Sequence, residues 1–237
     1  MYGMSGEKFF RRVVANSVLV LVVIGLLSLT FVPRVIDAAT RSGSGAIYRG
    51  DQTMGAVALT FAVYPESEYV EATLDILHTH GAKATFFVSG VFVENSEPIL
   101  LRMIAEGHSV GILGFFGRDM RPLTNSERRQ ELMAASNLVE RVTGDSPEMF
   151  FPPHGSFDRE VVQSATNIGL RTILWTHDTG DLIDTVPSLI ANRAISRLRA
   201  GDFVRMHPTQ ATNEALGLIL PRLAQVNLAT TTVCQLI

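Results

Sequence analysis

Hydrophobic residues fall along this chain in two regimes. Residues 13–32 (VVANSVLVLVVIGLLSLTFV) are apolar almost without interruption, about the 20 residues a helix needs to cross a bilayer. Beyond residue 50 the pattern changes: short β-rich apolar runs alternate with amphipathic stretches. AVALTFAV (56–63) reads as a buried strand, followed by a helix over 67–79. ATFFVSG (84–90) is a second strand, and Ser96-Glu97-Pro98 opens a helix with proline in its first turn. SVGIL (109–113) is a third strand. Thr124-Asn125-Ser126-Glu127 forms a capping box for a long helix that Gly144 ends. Strands are expected again at 148–151, 171–175, 202–207 and 228–234, with helices at 158–168, 187–199 and 212–225. Strands alternating with helices predict a parallel sheet. In such folds chemistry gathers at the C-terminal ends of strands, which here are 62–65, 112–117, 151–155, 175–182 and 206–209.

Lys8, Arg11 and Arg12 precede the apolar segment, and Pro33 and Arg34 close it. A basic leader favours a cytoplasmic N-terminus. The segment is therefore read as a single-pass anchor that leaves the rest outside the cytoplasmic membrane, although Arg34, Arg41 and Arg49 weigh against that orientation. A cleaved signal, with Ile36-Asp37-Ala38 as a poor cleavage site, is the alternative; its apolar core would be shorter, roughly 7–15 residues. The domain plan is then a cytoplasmic 1–12, an anchor at 13–32, a small polar Gly-rich linker at 33–50 and one domain at 51–237. An apolar fraction of 46% supports a packed core, and a net charge of -3 argues against a nucleic-acid partner. Cys234, the only cysteine, cannot form an internal disulfide and is expected to be buried in the last strand.

The strand ends carry the candidate chemistry. ALTFAVYP with GAKATFFVSG, then EGHSVGILG, FFPPHGSF, LWTHDTGDL and FVRMHPT, taken in that order, resemble the five motifs of the NodB-type polysaccharide deacetylases (carbohydrate esterase family 4). The resemblance runs from about Ile47 to the C-terminus. It implies a distorted (β/α)7 barrel and metal-dependent removal of acetyl groups from N-acetylglucosamine polymers. The departures are as informative as the matches. The family's first motif, TFDDGP, supplies a catalytic base and a metal ligand; here Ala62 and Val63 stand in those places. Leu113 and Gly117 stand where two metal-binding histidines would be. Phe151 replaces an arginine that orients the base. The acid side is kept: His207 matches the catalytic acid and Asp181 the aspartate that partners it. Asp178, Pro153, His154 and Gly155 fall in motifs that imply substrate contact. A subgroup known from spore-forming Gram-positive bacteria shares this profile, lacking the Asp pair while keeping PPxGSF, WTxDTxDW and HPT segments.

A bound divalent metal such as zinc lowers the pKa of water from about 15.7 to about 7. At about 1.36 kcal/mol per unit that is on the order of 12 kcal/mol of help in making hydroxide. A general acid typically contributes ~10²–10⁴-fold, about 3–5 kcal/mol, and so does not replace the metal. No cofactor is expected in this chain. A metal relocated to His154, Asp178, Asp181 and His207 is the alternative, since two His plus a carboxylate make a reasonable zinc set. His177, His78, His80 and His108 are read as structural. Tyr64, Phe115, Phe116, Phe151 and Trp175 could stack on sugar rings; Phe115 and Phe116, leading into the polar GRDMR, are the better groove candidates. The expected function is a membrane-anchored, cell-wall glycan-binding pseudoenzyme. The rivals are an active deacetylase or hydrolase and a scaffold for an unidentified protein partner.

Overall fold

The computed structural model describes residues 45–237; the anchor at 13–32 and most of the linker lie outside the described residues. Among those described, no helix is long and apolar enough to cross a membrane.

Strand β1 (Ala56–Val63) is buried along its whole length. Its neighbours are β2 (Thr85–Ser89), β3 (Ser109–Gly114), β4 (Met149–Phe150), β5 (Arg171–Thr172), β6 (His177–Asp178), β7 (Phe203–Met206) and β8 (Ala229–Thr231). All ladders are parallel and run in the order β5-β4-β3-β2-β1-β7-β6, with β8 against β1. The result is an α/β half-barrel rather than a ring of seven uniform strands. The run expected as one strand at 171–175 pairs in register with β4 only over β5 and bridges Ile47 at Ile173; the chain then bends and pairs again as β6 against β7. The last strand is also shorter than expected. It stops at Thr231, and α8 (Val233–Leu236) follows. Cys234 is consequently exposed on that helix rather than buried in a strand.

The helices are α1 (Val70–Thr79), α2 (Gly90–Asn95), α3 (Glu97–Ala105), α4 (Asn125–Thr143), α5 (Arg159–Thr166), α6 (Pro187–Ile195) and α7 (Gln210–Gln225). Helix α4 begins with the expected capping box: the Thr124 side chain accepts from the Glu127 N–H, and Glu127 reaches back to the Thr124 N–H. It ends at Gly144, whose φ of 84° is the left-handed conformation a helix stop favours.

Strand alternation sorts the core into two layers. Val57, Leu59, Phe61 and Val63 face the helices, whereas Ala56, Ala58 and Ala62 face the inside of the half-barrel with Phe87, Leu113, Phe151, Ile173 and Phe203. Small residues on β1 leave room for the phenylalanines opposite. Each fully buried phenylalanine contributes about 1.5–3 kcal/mol of transfer free energy. Val63, at the family's ligand position, thus belongs to the outer layer, whereas Ala62, at the base position, belongs to the inner one.

Residues 46–50, which composition assigns to the end of the linker, are packed against the sheet. Ile47 donates to the Thr172 carbonyl and accepts from the Leu174 N–H, and Gly50 donates to the Gly201 carbonyl. Arg49 Nε meets the Asp202 carboxylate at 2.6 Å. Asp202 is fully buried and also holds His177 Nε2 at 2.9 Å. The strand period turns His177 to Asp202 and Asp178 to the other side.

Candidate functional site

The site lies where β1, β7 and the loops after β4 and β6 end. His207 follows β7 directly, and its ring Nδ1 meets Asp181 Oδ1 at 2.7 Å. The other carboxylate oxygen accepts the His207 backbone N–H at 2.6 Å and the Thr212 hydroxyl at 2.8 Å. Asp181, His207 and Thr212 are all buried. Burial alone would raise the Asp181 carboxyl, but the His207 ring and backbone, with Thr212, outweigh it and hold the group below its ordinary value. The carboxylate is therefore ionised and can only accept. The proton on Nδ1 is fixed by that network, leaving Nε2 as the free face of the imidazole.

Tyr64 fills the mouth beside this pair. Its ring stacks on His154 at 5.0 Å between centroids and on His207 at 6.0 Å. The phenol oxygen accepts the His154 backbone N–H at 2.8 Å. Burial pushes the Tyr64 hydroxyl up, against the smaller opposing effects of the His154 N–H and the Arg205 charge. The loop that presents His154 is tightly wound: His154 itself has φ 58° and Gly155 has φ 69°. Glycine is required at 155 because a Cβ there would come within 2.2 Å of the Trp175 ring. Pro153, just ahead, is buried. A cleft of about 400 Å³ opens over Tyr64, His154, Leu182, His207 and Thr209, with Glu66 and Glu68 on its lip.

Of the residues expected to contact substrate, His154 lines this cleft, whereas Pro153, Gly155 and Asp178 do not; Asp178 is held apart from it. Its Oδ1 accepts the Gly180 N–H at 3.0 Å and its Oδ2 lies 3.3 Å from Arg205 Nη1. The Arg205 guanidinium stacks over Trp175 at 4.4 Å, and Trp175 stacks in turn on Phe151 at 5.3 Å. Phe115 and Phe116, expected in the groove, are not among the residues lining the cleft. Gly114, with φ 95°, turns the chain after β3. Buried Glu131 on α4 then captures the N–H groups of Phe115 and Phe116 at 2.9 and 3.0 Å. Phe115 is drawn onto Gly90, where a Cβ would lie 2.4 Å from its ring, and Phe116 is left exposed beneath Arg118.

The family positions for a divalent cation do not fit one. Val63 and Leu113 are fully buried hydrocarbon, and Gly117 has no side chain. A Cβ on Gly117 would stand 3.2 Å from the Tyr64 ring, at a φ of 65° that side chains rarely adopt. Among the described residues no three His, Cys, Asp or Glu side chains converge as a metal-holding group, and His154, Asp178, Asp181 and His207 are no exception.

A family profile of polysaccharide deacetylases matches residues 49–173. The chain belongs to the polysaccharide deacetylase family. It is 33% identical over 190 residues to the uncharacterised protein YlxY of Bacillus subtilis, covering 80% of this chain and 60% of that protein. It is 28% identical over 181 residues to a peptidoglycan-N-acetylglucosamine deacetylase of Bacillus cereus, covering 74% of this chain and 66% of the relative. The chain therefore spans less than two thirds of the length of these relatives. Among solved structures, wild-type BA3943 of Bacillus anthracis, described as a CE4-family pseudoenzyme, superimposes with a TM-score of 0.76 at 32% identity, covering 81% of this chain and 68% of that one. A mutant of that protein described as having restored enzymatic activity matches at the same TM-score of 0.76.

Two features of the site escaped the sequence reading. Thr212, a first-turn residue of α7, gave no signal before its contact with Asp181 was visible. Arg205 did leave a trace: in DFVRMH it falls in phase with the inward Phe203, where a charged residue is unexpected.

Proposed function

We propose that this protein is a pseudoenzyme of the cell wall that binds peptidoglycan or a related N-acetylglucosamine polymer without metal-dependent deacetylation. The observation that carries the reading is the replacement of every ligand position by groups with no lone pair, with the Tyr64 ring packed against the gap. Without a ligand set there is no activated water. The Asp181–His207 pair has then lost the partner whose leaving group it would protonate. The fold's likeness to BA3943 supports the same reading, as does the membership of peptidoglycan deacetylases in the family. Residues 13–32 are proposed to hold the domain at the outer face of the membrane, in reach of wall material.

A second reading rests on the intact Asp181–His207 pair at the cleft: hydrolysis of an activated ester or amide without metal. Three measurements on the purified protein separate the readings. Elemental analysis after exposure to zinc, cobalt or nickel is expected to find no stoichiometric metal. Acetate release from chitin oligomers and peptidoglycan is expected to be absent. Co-sedimentation with purified peptidoglycan is expected to be positive. Acetate release abolished by His207→Ala would defeat the pseudoenzyme, and failure to co-sediment would point to a protein partner instead.

A further inference from the structure

Arg205 is a cation on the inner face of β7, and its charge is poorly answered. Nε is buried with no hydrogen-bond partner. Nη1 meets Asp178 only at 3.3 Å, and no described residue accepts from Nη2. Asp178 is itself 43% exposed and spends its other oxygen on the Gly180 N–H. The guanidinium is nonetheless held firmly, since its face lies on Trp175 at 4.4 Å. That stacking fixes the plane of the fork, in a side chain that is 14% exposed and whose Nη2 is left without an acceptor among the described residues. A guanidinium in this state is built for a planar oxyanion, because two parallel N–H groups match the two oxygens of a carboxylate. A neutral hydroxyl or amide gains much less from it. Nor is the position remote, for Arg205 lies two residues before His207 and close enough to Tyr64 for its charge to act on that phenol. Arg205 is not one of the cleft-lining residues, whose carboxylates Glu66 and Glu68 repel an anion; the cation lies beside the cleft, not in it.

We propose that Arg205 forms a carboxylate-reading subsite, so that the protein selects a wall saccharide whose sugars carry a lactyl-ether carboxylate over a neutral N-acetylglucosamine polymer. The inference rests on the glycan-binding reading above and adds the chemical feature that is read. In it Asp178 acts as an internal competitor: it covers the fork loosely when the subsite is empty and yields to the ligand carboxylate.

The test is calorimetric titration of the purified full chain with three matched probes. One is a peptidoglycan tetrasaccharide bearing a lactyl carboxylate on every second sugar. Another is the same tetrasaccharide with those carboxylates converted to methyl amides, and the third is chitotetraose. The carboxylate form is expected to bind at least about tenfold more tightly than its amide, equivalent to about 1.4 kcal/mol. Arg205→Met is expected to bring that preference to within about threefold, and Arg205→Lys to restore part of it. Asp178→Asn, which removes the competitor and leaves the guanidinium in place, is expected to widen the preference; it decides the matter even where Arg205→Met fails to fold. Equal binding of acid and amide forms by the wild type would overturn the subsite while leaving glycan binding intact. So would a preference that survives in Arg205→Met, or one unchanged in Asp178→Asn. Binding of none of the three probes would overturn the glycan reading itself and the subsite with it.

Discussion

Replacing Asp181 by alanine strips three donors of their acceptor at once: the His207 ring Nδ1–H, the His207 backbone N–H and the Thr212 hydroxyl. All three residues are buried, so water cannot easily take the carboxylate's place. An orphaned buried donor costs about 1–3 kcal/mol, and donors that lose a charged acceptor lie at the upper end of that range. Because the donors share one acceptor group, their losses do not add fully, and about 3–5 kcal/mol is the expected total for Asp181→Ala. Asp181→Asn behaves differently. Its carbonyl oxygen can still accept from the His207 backbone and Thr212, while its amide donates to Nδ1 once the ring proton moves to Nε2. Its cost is expected to stay near 1 kcal/mol, with the imidazole in the opposite tautomer. Urea unfolding at neutral pH measures both costs, and nitrogen NMR of the ring reports the tautomer. The wild type carries an acid limb as well. Its Asp181 carboxyl is held below its ordinary value, so the stability it contributes is present above the unfolded value and drains away as pH falls through the folded one. That limb should vanish in both variants. A cost below about 1 kcal/mol for Asp181→Ala would refute the network as a source of stability.

Other outcomes follow from the same kind of bookkeeping. Burial, and then the Lys83 charge, lower His108 from 6.5 to about 4. Between those values the unfolded chain holds a proton that the folded chain refuses, so stability should fall by up to about 3 kcal/mol as pH drops from 6.5 toward 4. His108→Asn, which keeps an acceptor for the Ala84 N–H, should flatten that part of the urea-midpoint profile; an unchanged slope would count against the assignment. Gly155→Ala places a methyl 2.2 Å from Trp175 at φ 69° and should cost at least about 2 kcal/mol. It should also shift the emission of Trp175, the chain's only tryptophan; unaltered emission would show that the loop relaxes. Glu131→Gln gives up an acceptor shared by Phe115, Phe116 and Arg118. It should cost about 1–3 kcal/mol and speed amide exchange at Phe115 and Phe116, and protection equal to wild type would refute the tether.

Much of the fold is legible in the chain because its signals are local. The apolar run at 56–63, the capping box at Thr124 and Glu127 and the glycine stop at Gly144 each appear where the pattern puts them. What the pattern misses depends on contacts distant in sequence. Whether 171–175 pairs throughout depends on where β4 stops, which hydropathy does not encode. Whether Phe115 faces a groove depends on a carboxylate 16 residues away on α4. Cys234 reads as apolar filling because Thr230, Thr231 and Val233 are β-formers, yet the chain turns helical before reaching it. The site divides along the same line. The Asp181–His207 pairing follows from motif order, whereas Thr212 and the stacking of Arg205 on Trp175 are properties of the assembled half-barrel.

The short stretch ahead of β1 bears on where the protein can be cut. Ile47 hydrogen-bonds on the β5 side, while Arg49 and Gly50 hold the loop that leads into β7. The stretch thus links the β5 margin of the open arc to the loop ahead of β7 like a clasp. A fragment starting at Asp51 would leave Asp202 buried with the His177 ring as its only side-chain partner among the described residues, and would strip the Ile47 backbone bonds from the β5 margin. The minimal folding unit accordingly begins ahead of its first strand, and an expression boundary chosen at the first strand would sever the clasp.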